Sequence, residues 1–350
     1  MRAVVKTSPG PGAELIDKME NPRPGDGEVV IAVAAASVCG TDAHLYEWSK
    51  SAQDFHPRLP LVMGHECSGT VTDVGPGVSR VSPGDRVAIE THLYCGHCFE
   101  CRTGSAHNCR DLRLLGLTTD GVFAEQVRVP ESACFILPST VSEDTASLFE
   151  PAGVSVHALQ RAGSVAGARV LVSGCGPVGL VVVQLCLLFG ASTVIATEPN
   201  PFRRRLAEKL GAIAVDPLQA SAEEEMAAHA GDRSGGVQVA FETSGAAAAY
   251  PLIWHSLARE STLVTVGHPG AEISVDIARF VNKRGITVKG IFGRRIWDTW
   301  EQLLALVESG RLDLSWIITH RFELEDFKDA ISLLSQDAAK VIIYPNGVPA

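Results

Sequence analysis

The sequence predicts an α/β protein in two parts: a mainly β first part, then a doubly wound parallel sheet with helices on its faces. Two patterns and one motif carry this prediction. Up to about residue 150, short apolar runs are separated by Gly, Pro and Asp clusters; short strands broken by frequent turns build a barrel or a sandwich. From Ala152 onward, strand-like and helix-like stretches alternate, as they must where parallel strands are joined by crossover helices. Between the first such strand and the first such helix lies Gly174-Cys175-Gly176-Pro177-Val178-Gly179, a loop of the kind that approaches a dinucleotide pyrophosphate. The length of 350 residues suits two domains.

In chain order, residues 28–34, 67–74 and 86–90 read as strands, with turns at 22–27, 75–77 and 83–85. In the second part, 169–173 is a short buried strand, 177–189 an apolar helix and 193–197 a second strand. A helix over 201–210 follows, with Pro201 suited to its first turn. Strands are expected at 212–215, 237–241, 263–266 and 286–290, and helices at 221–229 and 246–258. A helix over 298–308 and a closing strand over 340–344 end the chain.

Composition excludes several classes. Apolar residues make up 46% and charged residues 20%, an ordinary globular balance. With 30 Lys and Arg against 40 Asp and Glu, the formal charge is −10, so neither nucleic acid nor an anionic membrane is an expected partner. The most apolar run, 177–189, has 13 residues, short of the roughly 20 that span a bilayer. The first ten residues carry no long apolar stretch, and a cytoplasmic location is expected. Of nine cysteines, four fall within 15 residues, which points to metal binding before disulfides.

Three motifs carry chemistry. Glu198 lies 19 residues after Gly179, at the end of the next expected strand. There it can accept hydrogen bonds from a ribose, and its charge favours NAD over NADP, with nearby Arg203 as a counterweight. Cys95, Cys98, Cys101 and Cys109 have the spacing C-x2-C-x2-C-x7-C. Four thiolates can close a tetrahedral structural zinc site, and iron–sulfur proteins share part of this spacing. Cys39, His44, His65 and Glu66 supply further metal-ligand types; three protein ligands with one open position is the catalytic zinc pattern.

These motifs together carry a resemblance. Cys39-Gly40-Thr41-Asp42, Gly64-His65-Glu66, the cysteine lobe, Gly174–Gly179 and Glu242-Thr243-Ser244-Gly245 occur in the order found in the zinc-dependent medium-chain alcohol dehydrogenases. The chain resembles that family nearly end to end. The resemblance implies a GroES-like catalytic domain over 1–151, a Rossmann domain over 152–291 and a return to the catalytic domain over 292–350. It implies two zinc ions per chain. Cys39 and His65 would hold the catalytic ion, with Glu66 and Glu150 as acidic positions beside it. Thr41 and His44 would relay the proton and His92 would hold the substrate. Gly174, Gly176, Pro177, Val178, Gly179, Glu198 and Arg203 would bind NAD. A small-molecule alcohol substrate and a homodimer or homotetramer are implied as well.

Within the family, 39–44, 47–49, His92, 290–294, Thr299-Trp300 and 317–322 look similar to the branch that oxidises L-threonine. That branch typically has an Asn where this chain has Val154, and 150–157 looks more like the sorbitol dehydrogenases. A polyol, a butanediol or an amino-alcohol is therefore the alternative substrate, and a non-catalytic zinc- and NAD-binding member the rival class. Arg294 is the best carboxylate partner on charge grounds, with cofactor phosphate an equal reading.

Overall fold

The computed structural model describes residues 1–231 and 235–348. The chain divides into two compact units, Met1–Pro151 with Arg295–Ala350, and Ala152–Arg294.

The first unit is built on a sheet whose backbone is Glu28–Val38. Its β-branched and small residues bury on both faces, with Val29, Ile31 and Val33 fully enclosed. Glu66–Val74 runs antiparallel along it, Gln126–Pro130 along its first half and Lys340–Tyr344 along its last residues. Arg86–Ile89 and Cys134–Ile136 extend one side of the sheet, and Ile318–Glu323 the other. Ser37 pairs with Glu66, and Val38 with Val341. The end of Glu28–Val38, the start of Glu66–Val74 and the start of Lys340–Tyr344 therefore meet at one end of the sheet. Antiparallel order alone brings Cys39, Glu66 and Lys340 together.

A two-stranded ribbon, His92–Leu93 with Arg113–Leu114, closes the base of the segment that carries the four clustered cysteines. Gly64 has a φ of +87°, and a side chain there would strike the Phe123 ring. Only glycine lets the chain turn at this point and deliver His65 and Glu66 to the sheet end.

The second unit holds six parallel strands in the order Ile213–Val215, Thr193–Thr197, Arg169–Ser173, Val237–Glu242, Leu257–Thr265, Thr287–Gly290. The order reverses beside Arg169–Ser173, and the crevice beyond the carboxyl ends of such strands is where doubly wound folds bind dinucleotides. Pro177–Leu188 follows the glycine loop. Pro201–Leu210 starts with its N-cap Asn200 accepting the N–H groups of Phe202 and Arg203.

The structure corrects several boundaries. The helix expected over 246–258 is confined to Tyr250–Ser256, and the next strand, expected from 263, already begins at Leu257. Leu257 and Ala258 are buried in that strand, while Arg259 and Glu260 are exposed and break its apolar pattern. A helix over Phe149–Ala162 was not anticipated. Pro151 and Gly153 argue against one in sequence, yet proline is tolerated in a first turn.

Candidate active site

Cys39, His65 and Glu66 each offer a ligand atom within 4.8 Å of the others. Cys39 caps the helix Gly40–Tyr46, and its backbone N–H donates to Asp42 Oδ2 at 2.8 Å. The other oxygen of Asp42 faces His65 Nδ1 at 3.2 Å. That contact puts the ring proton on Nδ1 and leaves Nε2 as the ligand nitrogen, the carboxylate–histidine arrangement that orients metal-binding imidazoles.

Glu66 is fully buried. Its Oε2 accepts from Lys340 Nζ and Ser37 Oγ, whereas Oε1 has no hydrogen-bond partner. A buried carboxylate oxygen without a donor is costly unless a cation completes it. The local field is negative. Burial opposes charge on Lys340 and on His65, yet both are held above their usual pKa, chiefly by Glu66 for the lysine and by Asp42 for the histidine. Sulfur, nitrogen and oxygen donors around a cation-favouring point fit a zinc ion with room for one more ligand.

Glu150 lies in the first turn of Phe149–Ala162 and is buried. It adds to the negative field at Lys340 but stands outside the group of Cys39, His65 and Glu66. The Cys39 thiol lies 3.8 Å from Thr41 Oγ1. His44 is exposed three residues further along the same helix, with Nδ1 3.2 Å from Ser49 Oγ. His92 is buried, and its Nδ1 lies 3.2 Å from the His107 carbonyl oxygen.

The four clustered cysteines also converge, their sulfurs all within 4.8 Å of one another. Backbone N–H groups of Cys98 and Cys95 point at the sulfurs of Cys95 and Cys109, at 3.4 and 3.3 Å. The backbone N–H of His97, then that of Cys98, pull the Cys95 thiol down to about 6.

In the second unit, a Cβ at Gly179 would collide with the Gly174 carbonyl oxygen, whereas one at Gly176 would meet nothing within 4 Å. Gly179 therefore packs the helix onto the loop, and Gly176 keeps open the helix start, where Pro177 and Val178 stay partly exposed. Glu198, at the end of Thr193–Thr197, accepts from Cys175 N at 2.8 Å and Asn200 N at 2.9 Å. Each of its oxygens keeps a further lone pair for a ribose hydroxyl. Arg203 is partly exposed nearby. Arg204 is committed to the carbonyls of Glu198 and Pro199 and to Asp216. Arg294 is only 1% exposed, so it is no ordinary surface arginine; Gly153 makes room for its stem.

Comparison with known proteins decides the family. Residues 25–139 match the alcohol dehydrogenase GroES-like domain, and 177–309 the zinc-binding dehydrogenase domain. An L-threonine 3-dehydrogenase of Caldanaerobacter subterraneus is 40% identical over 349 residues, 99% of each chain. The chain belongs to the zinc-dependent medium-chain alcohol dehydrogenase family. Among solved structures, the 2R,3R-butanediol dehydrogenase of Bacillus subtilis is 30% identical, with TM-score 0.86 and 99% of each chain covered. A zinc-binding dehydrogenase of Sinorhizobium meliloti, bound to NADP, is 31% identical with TM-score 0.86, covering 98% of this chain and 99% of its own.

This dehydrogenase is an oxidoreductase that works with zinc and NAD. Membership of a zinc-binding dehydrogenase family favours zinc over the iron–sulfur alternative at the cysteine lobe, whose four sulfurs could hold one ion. Sequence reasoning missed Asp42, Ser37 and Lys340. Asp42 had a signal, since it stands in the same short motif as Cys39; Lys340 had none, being 274 residues from Glu66. Replacing Cys98 with serine is expected to cost one zinc per chain and to lower Tm by roughly 5 °C or more. Metal analysis beside a thermal melt checks this, and an unchanged zinc content would refute it.

Proposed function

We propose that this dehydrogenase oxidises the secondary hydroxyl of L-threonine to give 2-amino-3-oxobutanoate, with NAD as hydride acceptor. The 40% identity over 99% of an enzyme named for that reaction carries the proposal. The 290–294 and Thr299-Trp300 segments support it. Cys39, His65 and Glu66 would hold the catalytic zinc, with Glu150 in reserve beside it, and the four clustered cysteines would hold a structural zinc. A zinc bound there would supply Lewis acidity toward the substrate hydroxyl, and a bound NAD would supply the hydride acceptor. Thr41 Oγ1, beside Cys39, accepts the hydroxyl proton. His44, exposed one turn further along the helix, passes it towards solvent. His92 binds the substrate, and its Nε2 suits a donor such as the ammonium group. Arg294 meets a carboxylate or a cofactor phosphate. Glu198 repels a 2′-phosphate and so selects NAD.

A homotetramer or homodimer in the cytoplasm accompanies this reading. The absence, among the described residues, of a helix long and apolar enough to cross a membrane supports the location, as do nine free cysteines. One observation favours a second substrate. Val154, half-buried in Phe149–Ala162, cannot make an asparagine's hydrogen bonds, so a polyol, a butanediol or an amino-alcohol is the competing substrate. Initial rates of NADH formation decide between them, with zinc-replete protein and L-threonine, sorbitol, 2,3-butanediol and an inositol. L-Threonine is expected to give the highest kcat/KM, and NADP little turnover. A polyol or diol in first place would replace threonine. Silence across the panel with both zinc ions bound would favour a non-catalytic role.

A further inference from the structure

We propose that Trp300 and Glu90 form a positioning unit for His92, through which Trp300 acts on the substrate without touching it. The inference rests on the assignment of His92 to the substrate made above. Trp300 and Glu90 are both fully buried. Across 210 residues of chain, the Trp300 indole Nε1–H donates to Glu90 Oε2 at 2.9 Å. The other oxygen, Oε1, accepts the backbone N–H of His92 at 2.8 Å. A buried carboxylate held by a donor on each oxygen has little freedom to turn.

The neighbours tighten the arrangement. The Trp300 ring packs against Phe135, Trp297 and Phe149, at centroid distances of 5.2, 5.5 and 6.1 Å, so the indole cannot swing its N–H away. Glu90 is anchored through its own backbone N–H, which donates to the Ala133 carbonyl at 2.8 Å. His92 is thus fixed at its backbone by Glu90, and its ring meets the His107 carbonyl through Nδ1. A carbonyl oxygen only accepts, so the ring proton belongs on Nδ1 and the neutral ring presents Nε2 as an acceptor. Without the Glu90 bond the backbone at His92 can shift, and the ring loses its alignment with His107.

Aromatic packing alone would also keep a tryptophan here, and the test separates the two roles. Trp300→Phe keeps a ring and removes the N–H; Glu90→Gln keeps the shape and mismatches one of the two donors. In the zinc-loaded full chain, each is expected to raise KM for the alcohol by about 5–30-fold. KM for NAD and zinc content should stay as in wild type. Long-range 1H–15N spectra of the His92 ring should change from the Nδ1–H tautomer to a mixture. In a His92→Ala background, Trp300→Phe should have no further effect on KM. An undiminished effect in that background, or an unchanged KM with a single tautomer in both variants, overturns the proposal. If Trp300→Phe does not fold, Glu90→Gln carries the test. If His92→Ala leaves KM unchanged, the substrate role of His92 fails, and the spectra still report on positioning.

Discussion

Cys39→Ala is expected to leave a folded protein that has lost one of its two zinc ions and about 10³-fold or more in kcat/KM. The fold is expected to survive because alanine loses only the thiol's half of the capping box and keeps the bond that the residue-39 backbone N–H donates to Asp42. The Asp42–His65 contact and the Lys340–Glu66 pair are made by other side chains and stay available without the thiol. The activity loss follows from the chemistry: Lewis-acid stabilisation is worth several kcal/mol, and a factor of 10³ is about 4 kcal/mol. Atomic emission for zinc, circular dichroism for fold and initial rates for turnover form the test. Two zinc ions retained with normal turnover would remove Cys39 from the metal site.

Lys340→Met should produce the largest loss of stability. The Lys340 ammonium and the Glu66 carboxylate are 1% and 0% exposed. Removing one member of such a pair strands the other, a change that typically costs about 3–5 kcal/mol. For a unit of this size that lowers Tm by about 10 °C. Because zinc would partly compensate Glu66, the loss should be greater in chelator-treated protein. Glu66→Gln added to Lys340→Met should recover much of the stability, since no buried charge is then left over. Equal losses with and without chelator, and no recovery in the double variant, would show that Lys340 matters only for packing.

Much of the second unit was legible because its signals are local. A strand, three glycines and a helix lie within about twenty residues, and two of the glycines, Gly174 and Gly179, have steric reasons in the structure. The candidate metal ligands were legible as residue types, and the fold groups Glu66 with Cys39 and His65, without Glu150 in that group. What stayed hidden is long-range. Lys340 precedes Val341 to Tyr344 and reads as a polar residue at the mouth of a strand; only the antiparallel register with Glu28–Val38 turns it into the counter-charge of Glu66. Trp300 stood out in the sequence only as part of a segment similar to one branch of the family, and its N–H meets a carboxylate that no spacing rule connects to it. Leu257–Thr265 was read short because Arg259 and Glu260 interrupt its apolar run.

The late position of Lys340–Tyr344 sets an order of events on the ribosome. The six-stranded unit is one continuous stretch and has all its strands by Gly290. The other unit lacks the strand beside Glu28–Val38 until Lys340–Tyr344 has been made. Glu66 is synthesised 274 residues before its lysine, which at 5–20 residues per second is a wait of roughly 14–55 s. During that interval the nascent sheet exposes an unpaired edge and a carboxylate without its counter-ion. The six-stranded unit can therefore mature first, and the unit that carries Cys39, His65 and Glu66 is completed only after Lys340–Tyr344 has been made.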